Sequence, residues 1–123
     1  MPYTCINPER YLNRSIGTGQ CVAFVQECAA VPHTSMWRPG LKVLGNLSLP
    51  KGVAIATFRD GQYPNHSSGN HAAIYLGQSA SGIQVLDQWM SHGIPRPVQE
   101  RTIRSKGGIG TMSDDAEFYF VIE

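Results

Sequence analysis

The chain has 123 residues, with 10 Lys plus Arg against 9 Asp plus Glu, and 41% of its residues are hydrophobic. That length predicts one domain over residues 1–123 that can bury its own core, and the hydrophobic fraction excludes a disordered chain. A net charge of +1 removes the diffuse phosphate attraction on which most nucleic-acid binders depend, so no nucleic-acid partner is expected.

The N-terminus, Met1-Pro2-Tyr3-Thr4-Cys5, lacks the basic start and apolar stretch of a secretory signal. No apolar run approaches the ~20 residues that a membrane-spanning helix needs. The chain is therefore expected to be made in the cytoplasm, without a membrane partner; any work outside requires another export route. Cys5, Cys21 and Cys28 are its three cysteines. An odd count leaves at least one thiol free and allows at most one internal disulfide, with the pairing open. No C-x-x-C spacing supports a zinc site.

Residues 1–17 are punctuated by Pro2, Pro8 and Gly17, with a turn or two of helix possible over Glu9–Ser15. Thr18 is a plausible N-cap for a helix ended by Pro32, which would put Cys21 at the third helical position. Cys21, Phe24, Val25 and Cys28 recur at i, i+3, i+4 and i+7, one apolar helical face. Residues 33–50 read as loop, with a short helical piece possible over Leu41–Gly45. Strands are predicted over Val53–Phe58, His71–Leu76, Ile83–Trp89, Val98–Ile103 and Glu117–Ile122, with a polar, turn-rich stretch over Arg59–Asn70. One helix followed by short antiparallel strands is the pattern of an α+β domain.

Two residues suggest chemistry. Cys21 lies near a helix N-terminus, where the exposed N–H groups favour a thiolate. His71 opens a strand and could serve as its base and later as the acid for a leaving amine. Asp87 shares an otherwise apolar strand face with Ile83, Val85 and Trp89, so it needs a buried partner. His71 would supply one, as would Arg96 or Arg101. Each residue also has a plain reading: Cys21 as a core residue, His71 as an ordinary histidine. His66 is the rival base, and a metal site of His66, His71 and Asp87 is the rival chemistry, but the spacing of a known metal motif is missing. Arg96–Lys106 is a basic stretch, most simply a solvated strand.

The combination resembles the CHAP and NlpC-type amidases. Gly19-Gln20-Cys21-Val22-Ala23-Phe24-Val25 is similar to their nucleophile segment. Asn70-His71-Ala72-Ala73-Ile74-Tyr75-Leu76-Gly77 is similar to their histidine strand, with Asn70 where glycine is usual. Asp87 falls at the third polar position, where Glu, His or Asn is commoner. Pro50-Lys51-Gly52-Val53-Ala54 resembles the strand that usually reads Pro-Gly-Asp-Val-Ala. The resemblance implies a papain-like fold and cysteine-dependent hydrolysis of peptidoglycan stem peptides or cross-links, without metal or cofactor. It implies Cys21 as nucleophile, His71 as base and Asp87 as its orienter, with the Cys21 N–H as one oxyanion donor. Tyr3, Tyr11 and Gln20 are unranked candidates for the second.

Among such enzymes, a small domain without a signal resembles the amidase effectors delivered by type VI secretion. That implies action in the periplasm of a target cell, a monomer, and an immunity protein that covers the site. The alternatives are a phage-type endolysin, or a non-catalytic binding module on the same fold.

Overall fold

The computed structural model describes residues 2–64, 66 and 69–123. One helix, α1 (Cys21–Ala29), lies on a six-stranded antiparallel sheet. The strands are β1 (Pro39–Lys42), β2 (Ala54–Thr57), β3 (Ala72–Ser79), β4 (Gly82–Ser91), β5 (Ile94–Ile103) and β6 (Tyr119–Ile122), ordered β1-β6-β2-β3-β4-β5. The α+β expectation therefore describes the fold.

Alternation along the strands gives the sheet two apolar faces. Ala54, Ala56, Ala72, Ile74 and Leu86 face the layer that holds Phe24 and Val25 of α1, together with Tyr11, Ile16 and Trp37. Alanine at three of those positions lets the helix sit close to the strands. Ile55, Ala73, Tyr75, Ile83, Val85 and Val121 face the opposite way, under Val43, Tyr119 and Ala116. The central strand β2 is fully buried on both faces, which explains why Val53–Phe58 is apolar except at Thr57.

Local departures from the sequence expectation have physical causes. Thr18 is not the N-cap: its hydroxyl accepts the Gln20 N–H in a turn ahead of the helix, at 3.3 Å. Gln20 itself takes the extended cap conformation, so Cys21 is the first helical residue instead of the third. Ala30 closes the helix in the left-handed conformation, φ 58°, two residues before Pro32. Residues 39–42, read as loop running into a possible helical piece over Leu41–Gly45, form the edge strand β1 instead, where residue 38 and residue 123 exchange backbone hydrogen bonds at 2.7 and 2.8 Å. β5 begins at Ile94, four residues before the expected start. Pro95 and Pro97 are tolerated there because β5 is the outermost strand and the missing N–H groups can face outward.

Cys5 is bonded to Cys28, with the Cα atoms 5.0 Å apart, and Cys21 is the free cysteine. The bridge fastens the N-terminal segment to the far end of α1. A second tie is backbone: the Cys5 N–H donates to the Gly52 carbonyl at 2.8 Å. Gly52 holds φ 101°, and a Cβ there would sit 2.5 Å from the Cys5 carbonyl oxygen, so only glycine fits this close approach. None of the described helices is long and apolar enough to cross a membrane.

Candidate active site

The sheet and the start of α1 together position a line of four polar side chains. His71 stands immediately before β3, and its backbone is pinned to β2: its N–H donates to the Thr57 hydroxyl at 3.0 Å, and its carbonyl accepts the Thr57 N–H at 2.9 Å. The imidazole Nε2 lies 2.7 Å from Asp87 Oδ2. With Nε2 engaged, Nδ1 is the nitrogen left to face Cys21, whose thiol interacts with the His71 side chain. Asp87 is fully buried. Its carboxylate accepts Arg101 Nε at 2.8 and 3.1 Å and the guanidinium NH2 group at 2.7 Å. Arg101 lies on β5 opposite Val85 and reaches Asp87 diagonally, and its guanidinium stacks over the Trp89 ring at 5.0 Å. The two partners that sequence offered Asp87, histidine and arginine, are both in place.

The electrostatics follow from this line. Burial alone pushes the Cys21 thiol up, but the hydrogen bond and charge of His71, the Ala72 N–H and the Tyr63 hydroxyl hold it below the ordinary thiol range. Burial disfavours a charged imidazole, yet Asp87 and Cys21 push His71 up to about 9. Burial also works against the Asp87 anion, and His71 and Arg101 overcome it. The favoured resting state is a thiolate beside an imidazolium, with the compensating carboxylate behind it. As the first helical residue, Cys21 has a backbone N–H without an intrahelical acceptor, available to a ligand.

Two clefts are lined by members of this line or by its neighbour Tyr63. One, of about 500 Å³, is lined by Ser35, Trp37, Arg38, Gly61, Gln62 and Tyr63. The other, of about 340 Å³, is lined by His71, Trp89, Arg101, Ser113 and Asp114.

A family model described as "Domesticated amidase effector 2" (Dae2) matches residues 1–122. The chain belongs to that family. It is 40% identical to a Salmonella typhi protein named "Type VI secretion amidase effector 2 protein", over the full length of both. It is 33% identical to "Domesticated amidase effector 2" of Ixodes scapularis, over 97% of this chain and 83% of that protein. The solved structure of "Type 6 secretion amidase effector 2 (Tae2)" superimposes with a TM-score of 0.90 at 39% identity, over 100% of this chain and 95% of that one. The expected papain-like α+β fold agrees with that match.

Family membership does not by itself say which side chains act, and the remaining expected residues fall in different places. Gln20 adjoins Cys21 and is exposed. Tyr11 is buried under α1, edge-on to Phe24, with its hydroxyl accepting from Arg10 at 3.0 Å. Tyr3 packs against the same core layer and gives its carbonyl to the Ala54 N–H. Neither tyrosine hydroxyl bonds to Cys21 or His71; the tyrosine that does meet Cys21 is Tyr63. His66 is exposed, and no cluster of His, Cys, Asp or Glu among the described residues is arranged to hold a metal. Arg101 is not a free member of a basic patch, since its guanidinium is committed to Asp87.

Sequence reading also missed Gln88. It is fully buried, and its amide clamps the loop ahead of Cys21. Oε1 accepts the Ile16 N–H at 2.8 Å, and Nε2 donates to the Ile16 and Gln20 carbonyls at 2.9 and 2.8 Å. Gln88→Leu keeps the volume and strands three backbone groups, so it should cost roughly 2–4 kcal/mol. Urea unfolding checks this; a midpoint equal to that of the parent chain would show that the clamp is dispensable. Activity measured well below that midpoint should fall as well, because the clamp fixes the loop that presents Cys21.

Proposed function

We propose that this amidase effector hydrolyses peptide amide bonds of peptidoglycan by a thioester mechanism, with Cys21 as nucleophile, His71 as acid and base, and Asp87 as the group that orients His71. The observation that carries the reading is the buried His71–Asp87 pair, 2.7 Å apart and backed by Arg101, with the Cys21 thiol as the other group acting on His71. The Cys21 sulfur attacks the scissile carbonyl carbon, forming the S–C bond as the carbonyl pair moves to oxygen, where the Cys21 N–H receives the charge. The tetrahedral centre collapses, the C–N bond breaks, and imidazolium His71 gives its proton to the departing amine. Water, deprotonated by the now neutral His71, attacks the thioester and releases the carboxylic acid and Cys21. Asp87 holds Nε2, so that Nδ1 faces the reaction, and Arg101 keeps Asp87 ionised.

The relatives named as type VI secretion amidase effectors support a secreted effector, with a competing cell as the proposed recipient. Action in that cell's periplasm, a monomeric state, and an immunity protein seated over the clefts complete the reading. The scissile bond is either D-glutamyl to meso-diaminopimelate within a stem, or diaminopimelate to D-alanine across a cross-link.

Purified sacculi treated with the enzyme and then with a muramidase would identify the bond by the masses of the released fragments. Intact sacculus peptides after prolonged digestion would reject the reading. The same assay run across pH should give a bell-shaped kcat/KM. The acid limb reports protonation of the thiolate and should lie below the ordinary thiol range. The alkaline limb reports loss of the imidazolium, near the value of about 9 set for His71. A rate that keeps rising past that region would exclude a pre-formed ion pair.

A further inference from the structure

We infer that Tyr63 is the second donor to the oxyanion, and that Asn70 aims its proton. The inference rests on Cys21 being the nucleophile. Tyr63 comes from the polar loop between β2 and β3, but its ring is fixed. It meets Trp37 edge-on at 4.7 Å and Phe58 at 6.4 Å, and it lines the larger cleft.

The hydroxyl has one proton, and the surroundings decide where it points. Asn70 Nδ2 donates to the Tyr63 oxygen at 3.2 Å, which occupies a lone pair and turns the O–H away from Asn70. Cys21 is the other polar group that acts on the Tyr63 hydroxyl, so the proton turned away from Asn70 is free to point to the sulfur. Burial and the charge of Cys21 hold the phenol well above its ordinary range, so Tyr63 stays protonated wherever the thiolate exists.

Asn70 occupies the position where glycine is usual in the resembling amidases, and the substitution has a visible cost. Among the described residues, Asn70 Oδ1 is the buried side-chain oxygen or nitrogen that finds no hydrogen-bond partner. An orphaned polar atom of this kind is uncommon and calls for a reason. Aiming the Tyr63 proton is such a reason.

In the ground state that proton is free to face Sγ. When sulfur bonds to the carbonyl carbon, the negative charge moves from sulfur to the adjoining carbonyl oxygen, about two bonds away. A donor aimed at the sulfur can follow the charge with a small rotation. Tyr63 keeps its proton throughout; the amine still leaves with the proton from His71. Together with the Cys21 N–H this gives the oxyanion two donors, one from the helix start and one from the loop.

The test uses soluble cross-linked muropeptides, with product quantified by chromatography. Tyr63→Phe preserves the ring contacts and should lower kcat by roughly 10²-fold, the effect of removing one oxyanion donor. KM should change little. The acid limb of the pH profile should move upward, because the thiolate loses a donor. Asn70→Asp replaces a donor by an acceptor that draws the Tyr63 proton to itself. It should lower kcat into the same range while the hydroxyl is still present. In the Tyr63→Phe background it should add almost nothing, a non-additivity that a purely structural role would not produce. A kcat of Tyr63→Phe within about threefold of the parent would overturn the proposal. So would an Asn70→Asp loss that is equal in both backgrounds. Cys21→Ala is the separate control: its inactivity upholds the underlying chemistry whatever Tyr63 does, and its full activity would refute that chemistry instead.

Discussion

Cys21→Ala should reduce turnover of peptidoglycan peptides by roughly 10⁵- to 10⁶-fold, the loss seen when the nucleophile of an acyl-transfer triad is removed. The size follows from the covalent route. Without sulfur there is no thioester, and water would have to attack the amide directly in a site organised around Cys21 Sγ. His71→Ala should cost a similar amount, and the double variant no more than either, because nucleophile and base act as one unit. The substrate complex should survive, since the two clefts are lined by other residues. Binding of the inert variant to sacculi, measured by co-sedimentation, separates chemistry from recognition. If Cys21→Ala releases fragments at the parental rate, Cys21 is not the nucleophile.

Opening the Cys5–Cys28 bridge should produce a large loss of stability. The bond spans 23 positions of sequence, and closing a loop of that size restricts the unfolded chain by about 3 kcal/mol. For a domain of this size that corresponds to a fall in melting temperature of roughly 10 °C. Paired Cys5→Ser and Cys28→Ser substitutions, introduced with Cys21→Ala to prevent thiol exchange, test this by thermal melting with and without reductant. A melting temperature that is unchanged by the substitutions would show that the bridge constrains nothing. The location adds a functional consequence. Cys28 lies in the same helix as Cys21, so the bridge secures α1 at the end away from the chemistry. Disulfides form in oxidising compartments and stay open in a reducing cytosol. The periplasm proposed for its action is therefore also where this chain would reach full stability.

Much of this molecule was legible in its sequence, and the illegible parts share a cause. Cys21, His71 and Asp87 could be picked out because each breaks a regular pattern: a thiol at a helix start, a histidine at a strand start, a carboxylate on an apolar strand face. Tyr63 broke no pattern. It lies in residues 59–70, where neither period two nor period 3.6 operates, and only folding brings it to the sulfur. Gln88 is similar: a buried amide in a strand looks like an ordinary polar position until the loop it clamps is known. β1 was misread because its pairing with β6 depends on a partner some eighty residues away, which local propensity cannot sense. The helix start was displaced because Gln20, an unremarkable capping residue, has its carbonyl fixed by Gln88. The disulfide stayed open because three thiols permit three pairings, and only the packing of the N-terminal segment against α1 decides among them.

Asp87 and Gln88 are neighbours in β4, and their side chains leave opposite faces of the sheet. One steadies the imidazole, the other the segment that delivers the thiol. Sliding β4 by a single residue would exchange the two faces and disconnect both halves of the site at once. The two flanking hairpins guard against this slip. The β3–β4 connection is only Ala80-Ser81, and the β4–β5 connection is His92-Gly93, with φ of 52° and 77°, the backbone of a tight two-residue turn. Insertions and deletions in these hairpins should therefore be far less tolerated than length changes elsewhere on the surface. The sequence diversity open to this scaffold lies away from β4, and any redesign of its specificity should leave those two turns at their present length.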